Sequence, residues 1–419
     1  MYTCLNMLRS LPRVDELGNY GFRIMAHQPD PSVFFEDKLH QLQLKNARIV
    51  RENGVTAGNL EVQGPIISSF SAANTAGINV LDCEGDFLLP GLIDLHTDNV
   101  EKFIHPRPGV QWPVPLAALL AHDWELLGAG ITTVLDSLSL GDYDSGRART
   151  AMLNEVIDGL TKARADGLFK TDHHFHFRCE LSDSAMLPLF ERHIDNPGLK
   201  LISMMDHTPG QRQWHDLAHY REWRAKKNAR VWTEDEFAHY IAERRDHQQQ
   251  YVPPSRSTIG RLCREHNIRI ASHDDTTVDN VEESHRDGIT ISEFPTTVEA
   301  ARRARELGMK IVMGSPNIML GGSHYGNVSA MELANLGLLD VLTSDYVPGS
   351  LLHSVFELAA KGFDLAEAVA MVTKNPAELL GFTDRGRIAP GLRADLIRVR
   401  LIAGVPVIRN IWVAGRQYL

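Results

Sequence analysis

Between residues 87 and 349 eight short apolar runs alternate with amphipathic stretches. No other feature constrains the fold as strongly, because strands separated by helical crossovers pair in parallel and need helices over their faces. The runs are FLLPGLIDLH (87–96), ITTVLDSL (131–138), HHFHFRCEL (173–181), LKLISMMDH (199–207), IRIASHDD (268–275), ITISEFP (289–295), MKIVMGSP (309–316) and LLDVLTSDY (338–346). Eight βα units close into a (β/α)8 TIM-like barrel, an α/β fold. Connectors such as Ala300-Ala-Arg-Arg-Ala-Arg-Glu-Leu-Gly308 fit it, since Gly308 stops a helix where the next strand must begin.

The ends read differently. Residues 46–86 and 385–419 are short β segments broken by Gly and Pro, such as RIVRENG and NIWVAGRQ, and are expected to form one small β domain beside a barrel of residues 87–384. Residues 1–45 form an N-terminal extension of mixed composition, with a helix expected at Phe35–Leu44 and no role assigned. The chain holds 43 Lys+Arg against 53 Asp+Glu, a net charge of −10. That balance argues against nucleic acid or an anionic membrane as partner, so an anionic substrate must be held by local groups. No stretch reaches eighteen consecutive apolar residues and the N-terminus lacks a signal-type apolar region, so a cytoplasmic protein is expected. Cys4, Cys83, Cys179 and Cys263 stand far apart and read as reduced packing residues rather than a disulfide framework or zinc knuckle.

The ionisable residues gather at the ends of the runs. The first closes Asp94-Leu-His96-Thr-Asp98, and the period of two puts Asp94, His96 and Asp98 on one face. In the third, His174, His176, Arg178 and Glu180 share one parity, while Phe175, Phe177 and Cys179 share the other and belong under the helices. Asp206-His207 ends the fourth, Ser272-His273-Asp274-Asp275 the fifth and Ser344-Asp345-Tyr346 the eighth. Each pair alone is more often a hydrogen-bonded rim residue. Their joint occurrence at the C-terminal ends of barrel strands, where barrel active sites sit, points to a shared divalent cation.

Leu89-Pro-Gly-Leu-Ile-Asp-Leu-His-Thr-Asp98 and Gly386-Arg-Ile-Ala-Pro-Gly-Leu-Arg-Ala-Asp-Leu396 resemble the first barrel strand and the closing β-domain signature of the amidohydrolase superfamily, a likeness that covers almost the whole chain. The resemblance implies a hydrolase with one or two divalent metals per chain, zinc first and manganese second. Carried over by motif, His96 and Asp98 hold one metal, Glu180 bridges, His207 and His273 hold the second, and Asp345 ligates and acts as catalytic base. His176 and Asp206 stand close enough in sequence to replace Glu180 and His207. These ligands fall on strands one, three, four, five and eight, whereas the superfamily is often described with one, four, five, six and eight.

HTDNVEKFIHPRPGVQW, SEFPTT, MGSPNIMLGGSHYGNVSA and LTSDYVPGSLLHS narrow the likeness to a branch acting on a phosphorylated ribosyl phosphonate in phosphonate catabolism. There a 5-triphosphate is hydrolysed to the 5-phosphate and pyrophosphate, so a small-molecule substrate is implied, and a homo-oligomer is compatible. A metal-activated water would be the nucleophile, its pKa lowered toward about 7. The alternative, kept from other members of the superfamily, is cleavage of a C–N bond in a cyclic amide or amidine. A barrel without catalysis is the third reading, disfavoured because His96, Asp98, His273 and Asp345 are all in place.

For the phosphates, Lys102, His105 and Arg107 follow the first ligand pair and are placed to reach the mouth. The Gly-rich stretch from Gly314 to Gly326 follows strand seven, where barrels frequently bind phosphate, and reads either as an anion nest or as a tight turn. Asn317, Gly322, Ser323, His324 and Tyr346 are its rim candidates. The insert 209–260 is a candidate lid, with Trp214 and Trp223 assigned to packing.

Overall fold

The computed structural model describes residues 41–71, 79–107, 109–141, 148–228, 231–323 and 326–419. The first strands are β1 (Gln41–Arg51), β2 (Gly54–Gln63), β3 (Ile66–Ser71), β4 (Asn79–Asp82) and β5 (Phe87–Pro90). β1 pairs antiparallel with β2 and parallel with β4 and β5. The helix expected at Phe35–Leu44 is incorrect over Gln41–Leu44, which belong to β1. Gln41-Leu-Gln-Leu44 alternates with period two, and Leu44 enters a core with Leu60, Val62, Ile67 and Trp412. Residues 35–40, the rest of the extension and Cys4 lie outside the described residues.

The barrel strands follow: β6 (Leu92–Thr97), β7 (Ile131–Leu140), β8 (Asp172–Glu180), β9 (Leu199–Met205), β10 (Arg269–His273), β11 (Ile291–Glu293), β12 (Lys310–Gly314) and β13 (Val341–Thr343). They form one sheet in sequential order, each neighbour parallel. The run expected as a single strand over 87–96 is two strands in two sheets, and the barrel begins at Leu92. The chain crosses between them at Gly91, where a Cβ would lie 2.2 Å from Thr132 Oγ1, so only glycine lets β6 settle against β7.

Closure between β13 and β6 uses a bridge between Thr97 and Asp345. Asp345 N–H donates to His96 O at 2.8 Å, and Asp98 N–H donates to Asp345 O at 3.0 Å. Asp94, fully buried, accepts from Thr343 Oγ1 at 2.5 Å and Ser344 N–H at 2.9 Å. It is a structural clasp, and the same geometry sets His96, Asp98 and Asp345 side by side.

β14 (Leu396–Ile402), β15 (Val405–Val413) and β16 (Arg416–Gln417) return to the first sheet, β14 pairing antiparallel with β5. Both ends of the described chain therefore build one sheet. At the N-terminal end of the barrel, buried Arg385 donates to Thr133 Oγ1 at 2.9 Å and Asp172 Oδ2 at 2.8 Å. Burial opposes ionisation of Asp172, but His174 and Arg385 outweigh it and hold the carboxyl well below its usual range.

As parity predicts, Phe175, Phe177 and Cys179 join the core under the helices, with Val134 and Leu138 beside them. Ile93 and Leu95 cluster with Leu135, Leu201 and Ile291 of other barrel strands, apart from that core. The insert is built from the helices Leu217–Asn228 and Glu234–Glu265, the latter opened by a Thr233–Glu236 capping box. Trp214, Tyr220, Trp223 and Ile241 cluster together there, which is the packing role expected of the two tryptophans. Cys83, Cys179 and Cys263 are buried and free. No helix among the described residues is long and apolar enough to cross a membrane.

Candidate metal centre

A cavity of about 290 Å³ opens at the C-terminal ends of the barrel strands, and His96, Asp98, Arg178, His207, His273, Asp274 and Asp345 all face it. Beneath it one carboxylate organises two of these imidazoles. Glu293, at the end of β11, accepts from His96 Nδ1–H through Oε1 at 2.8 Å and from His273 Nδ1–H through Oε2 at 2.7 Å. Each imidazole therefore presents its Nε2 lone pair away from Glu293. His96 Nε2 is buried without a hydrogen-bond partner, and so is Asp98 Oδ1. Bare buried acceptors are costly unless a cation takes them. A histidine whose other nitrogen donates to a carboxylate is the usual arrangement behind a metal ligand.

His176 lies one layer deeper. Its Nε2–H donates to Ser203 Oγ at 2.6 Å, Ser203 Oγ–H donates to Glu293 Oε2 at 2.6 Å, and Ser137 Oγ–H reaches His176 Nδ1 at 3.0 Å. Both ring nitrogens are thus used, and burial drives its pKa down to about 3, which keeps the ring neutral. Burial likewise works against ionising Glu293, but His96, His176 and His273 outweigh it and hold it well below the usual carboxylate range.

On the other side of the cavity His207 Nδ1 stands 2.6 Å from Glu180 Oε2, and His207 Nε2 is 3.5 Å from Asp274 Oδ2. Burial opposes protonation of His207, yet Glu180 and Asp274 raise its pKa to about 10, so a positive charge is favoured between them. Asp274 Oδ2 also lies 3.6 Å from His273 Nε2. Donor atoms of His207, His273 and Asp274 sit within 4.8 Å of one another, close enough to share one ion. Asp345, in the left-handed conformation at φ 56°, turns its carboxyl to the cavity, and burial pushes its pKa up to about 6.

The structure thus brings His96, Asp98, His207, His273 and Asp345 around one cavity, with Glu180 directly against His207. Asp206, the alternative to His207, is engaged elsewhere, accepting from Thr208 Oγ1 at 2.6 Å and Gln248 Nε2 at 2.7 Å. Of the phosphate candidates, Asn317, Gly322, Ser323 and Tyr346 line the cavity, whereas His324 lies outside the described residues. The tight-turn reading of the Gly-rich stretch holds at Gly321, which ends the helix Ser315–Leu320 with φ 74°.

Lys102, His105 and Arg107 do not line the cavity. Lys102 Nζ instead donates to Asn99 Oδ1 at 2.6 Å and Tyr346 O at 2.8 Å, pinning two loops, and His105 and Arg107 are exposed. Residues the sequence reading passed over are Glu293, Asp274 and Arg178. Arg178 had a signal, the inward parity it shares with Glu180. Asp274 had one in its adjacency to His273. Glu293 had only its place at a strand end.

The amidohydrolase family model matches residues 87–417. Over 377 residues the chain is 43% identical to the alpha-D-ribose 1-methylphosphonate 5-triphosphate diphosphatase of Escherichia coli, covering 89% of this chain and 99% of that protein. Among solved structures, N-isopropylammelide isopropylaminohydrolase from Burkholderia multivorans superposes with a TM-score of 0.61 at 17% identity, over 90% of this chain and 97% of that one. The 5-methylcytosine deaminase from Klebsiella pneumoniae gives 0.61 at 14% identity, over 90% and 97%. These two share the fold. With the family model spanning the barrel and the closing strands, the chain belongs to the amidohydrolase family.

Proposed function

We propose that this protein is a metal-dependent diphosphatase that hydrolyses alpha-D-ribose 1-methylphosphonate 5-triphosphate to the 5-phosphate and pyrophosphate, in phosphonate catabolism. The observation that carries this reading is the 43% identity to the Escherichia coli diphosphatase along 99% of its length. The cavity supports it with a donor set that suits divalent metal. His96, Asp98 and Asp345 would hold one ion, and His207 and His273, with Glu180 beside His207, the second. Asp274 joins that second group because it lies within reach of both imidazoles. The charge favoured between Glu180 and Asp274 is one a cation would supply in place of the His207 proton. Zinc is the first candidate, given three imidazoles among the donors, and manganese the second.

A bound divalent ion supplies hydroxide near neutral pH and polarises a phosphoryl oxygen. The chain's own residues supply the rest. Asp345 accepts the proton of the attacking water, which its raised pKa of about 6 allows at neutral pH. Glu293 keeps His96 and His273 fixed in one tautomer, so neither ring must reorient. Asn317, Ser323 and Tyr346 border the space left for the substrate. With its free buried thiols and no membrane-length apolar helix among the described residues, the enzyme is assigned to the cytoplasm.

The test is product analysis. Purified protein loaded with Zn²⁺ or Mn²⁺ is expected to release one pyrophosphate per 5-phosphate formed. Absence of pyrophosphate, with ammonia release from cyclic amides or amidines instead, would overturn the proposal in favour of C–N hydrolysis.

A further inference from the structure

Arg178 is the one cavity-lining side chain among the described residues whose positive charge does not depend on titration near neutral pH. It stands on β8 two residues before Glu180, facing inward. The guanidinium has five donors in a rigid plane, yet no hydrogen bond joins it to another described residue. Its approach to an acid is NH1 to Asp98 Oδ2 at 3.9 Å, and its Nε is buried without an acceptor.

Two buried arginines of this chain show what a satisfied guanidinium looks like. Arg212 is held by Asp275, Glu283 and the His273 carbonyl. Arg385 is held by Thr133, Asp172 and Asp384. A residue kept only to balance Asp98 would form the bidentate contact below 3 Å that guanidinium and carboxylate favour. Arg178 instead keeps its fork open toward a cavity that three carboxylates, Asp98, Asp274 and Asp345, also face. Those carboxylates are taken up as metal ligands in the proposed function and donate nothing to a phosphate, and the basic loop residues Lys102, His105 and Arg107 are not in the lining to do so.

We infer that Arg178 is the anion-binding residue of this cavity, its guanidinium fork taking two oxyanions of a phosphoryl group and holding that group beside Asp98 and Asp345. The inference rests on the proposed function for the substrate class, a polyphosphate ester. Arg178 binds and positions, and no bond is made or broken on it. It also separates substrates, because a neutral cyclic amide gives a guanidinium fork nothing charged to hold.

The experiment compares metal-loaded wild type, Arg178→Lys and Arg178→Met as full-length chains. Four quantities are read: metal content by elemental analysis, the Kd for imidodiphosphate by calorimetry, and kcat and KM for the triphosphate. Metal content is expected to be equal in all three. Imidodiphosphate binding should weaken by roughly 100-fold in Arg178→Met, the loss of two charge-assisted hydrogen bonds. Arg178→Lys, which keeps charge and bulk but not the fork, should fall between, so the inference stays testable if the methionine variant folds poorly. KM for the triphosphate should rise in the same order.

Wild-type affinity in Arg178→Met would overturn the inference. So would weaker binding that tracks lost metal in both variants, since Arg178 would then merely balance Asp98. Arg178-dependent imidodiphosphate binding without pyrophosphate release by the wild type would uphold the anion site and refute the proposed function. Pyrophosphate release with an indifferent Arg178 would do the reverse.

Discussion

The buried group on the outer face of β7 and β8 offers the sharpest quantitative test of how this barrel is held. Asp136 accepts from His122 Nε2–H at 2.8 Å and from His173 Nδ1–H at 2.7 Å. His173 Nε2 faces Asp123 at 3.4 Å, and Asp123 also accepts from the backbone N–H groups of Lys170 and Thr171. These residues join the helix Pro115–Gly128 to two barrel strands, and the four side chains are at most 2% exposed. Burial opposes the charge on His173, but Asp136 and Asp123 outweigh it and raise its pKa to about 9. Against an unfolded value near 6.5, that is roughly 3 kcal/mol of stability. The raised pKa means this stability is complete below about pH 6.5 and is lost as pH rises through about 9. Asp136→Asn keeps the shape but removes the charge and turns an amide donor toward one imidazole. Breaking a buried pair from one side costs about 3–5 kcal/mol. With an unfolding entropy of roughly 0.8 kcal/mol/K for a chain this size, Tm should fall by about 4–6 °C at pH 6.5. Scanning calorimetry of both proteins from pH 6 to 10 should show the gap narrowing as pH approaches 9, with kcat unchanged because the group lies outside the cavity. A gap independent of pH, or none, would refute the account of His173 as a charge held between two carboxylates.

Three further outcomes concern the cavity. His96→Ala should lose metal and turnover while keeping the wild-type far-UV spectrum, and Asp345→Asn should lower kcat by about 10²–10⁴-fold, the contribution of a positioned general base, in a stopped pyrophosphate assay. Glu293→Gln should weaken metal binding by about 10–100-fold in a chelator competition, since it loosens the tautomers of His96 and His273 together.

The barrel was legible because its signal is periodic and local. Each of the eight apolar runs overlaps one barrel strand, and a parallel sheet buried on both faces must be written in such runs. The change of sheet at Gly91 was not legible. Phe87 to His96 are apolar nearly throughout, so hydropathy sees one strand, and what divides it is the space that Thr132 occupies beside Gly91. The strand at Gln41–Leu44 was missed for the opposite reason. Four residues carry the alternation, and the partners that make them a strand, Leu60–Gln63 and Asn79–Leu81, lie downstream.

The site shows what period-two reasoning can and cannot reach. Parity sorts the third run correctly into an inward set, His174, His176, Arg178 and Glu180, and an outward set that packs under the helices. It carries no information on height along the barrel, and height separates the roles. His174 sits at the lower end, 3.3 Å from Asp172. His176 is spent on Ser137 and Ser203 in the layer beneath the cavity, and Arg178 faces the cavity itself. Parity also gave no reason to notice that His173, on the outward face, is charged and paired. Glu293 lay furthest from view, because its hydrogen bond to His96 spans 197 positions. A single carboxylate between two imidazoles from strands half a barrel apart exists only after the sheet has closed. The ligand types were therefore written locally in the chain, but the alignment of their lone pairs is a property of closure, set by the Asp94 clasp between β6 and β13 and read out through Glu293.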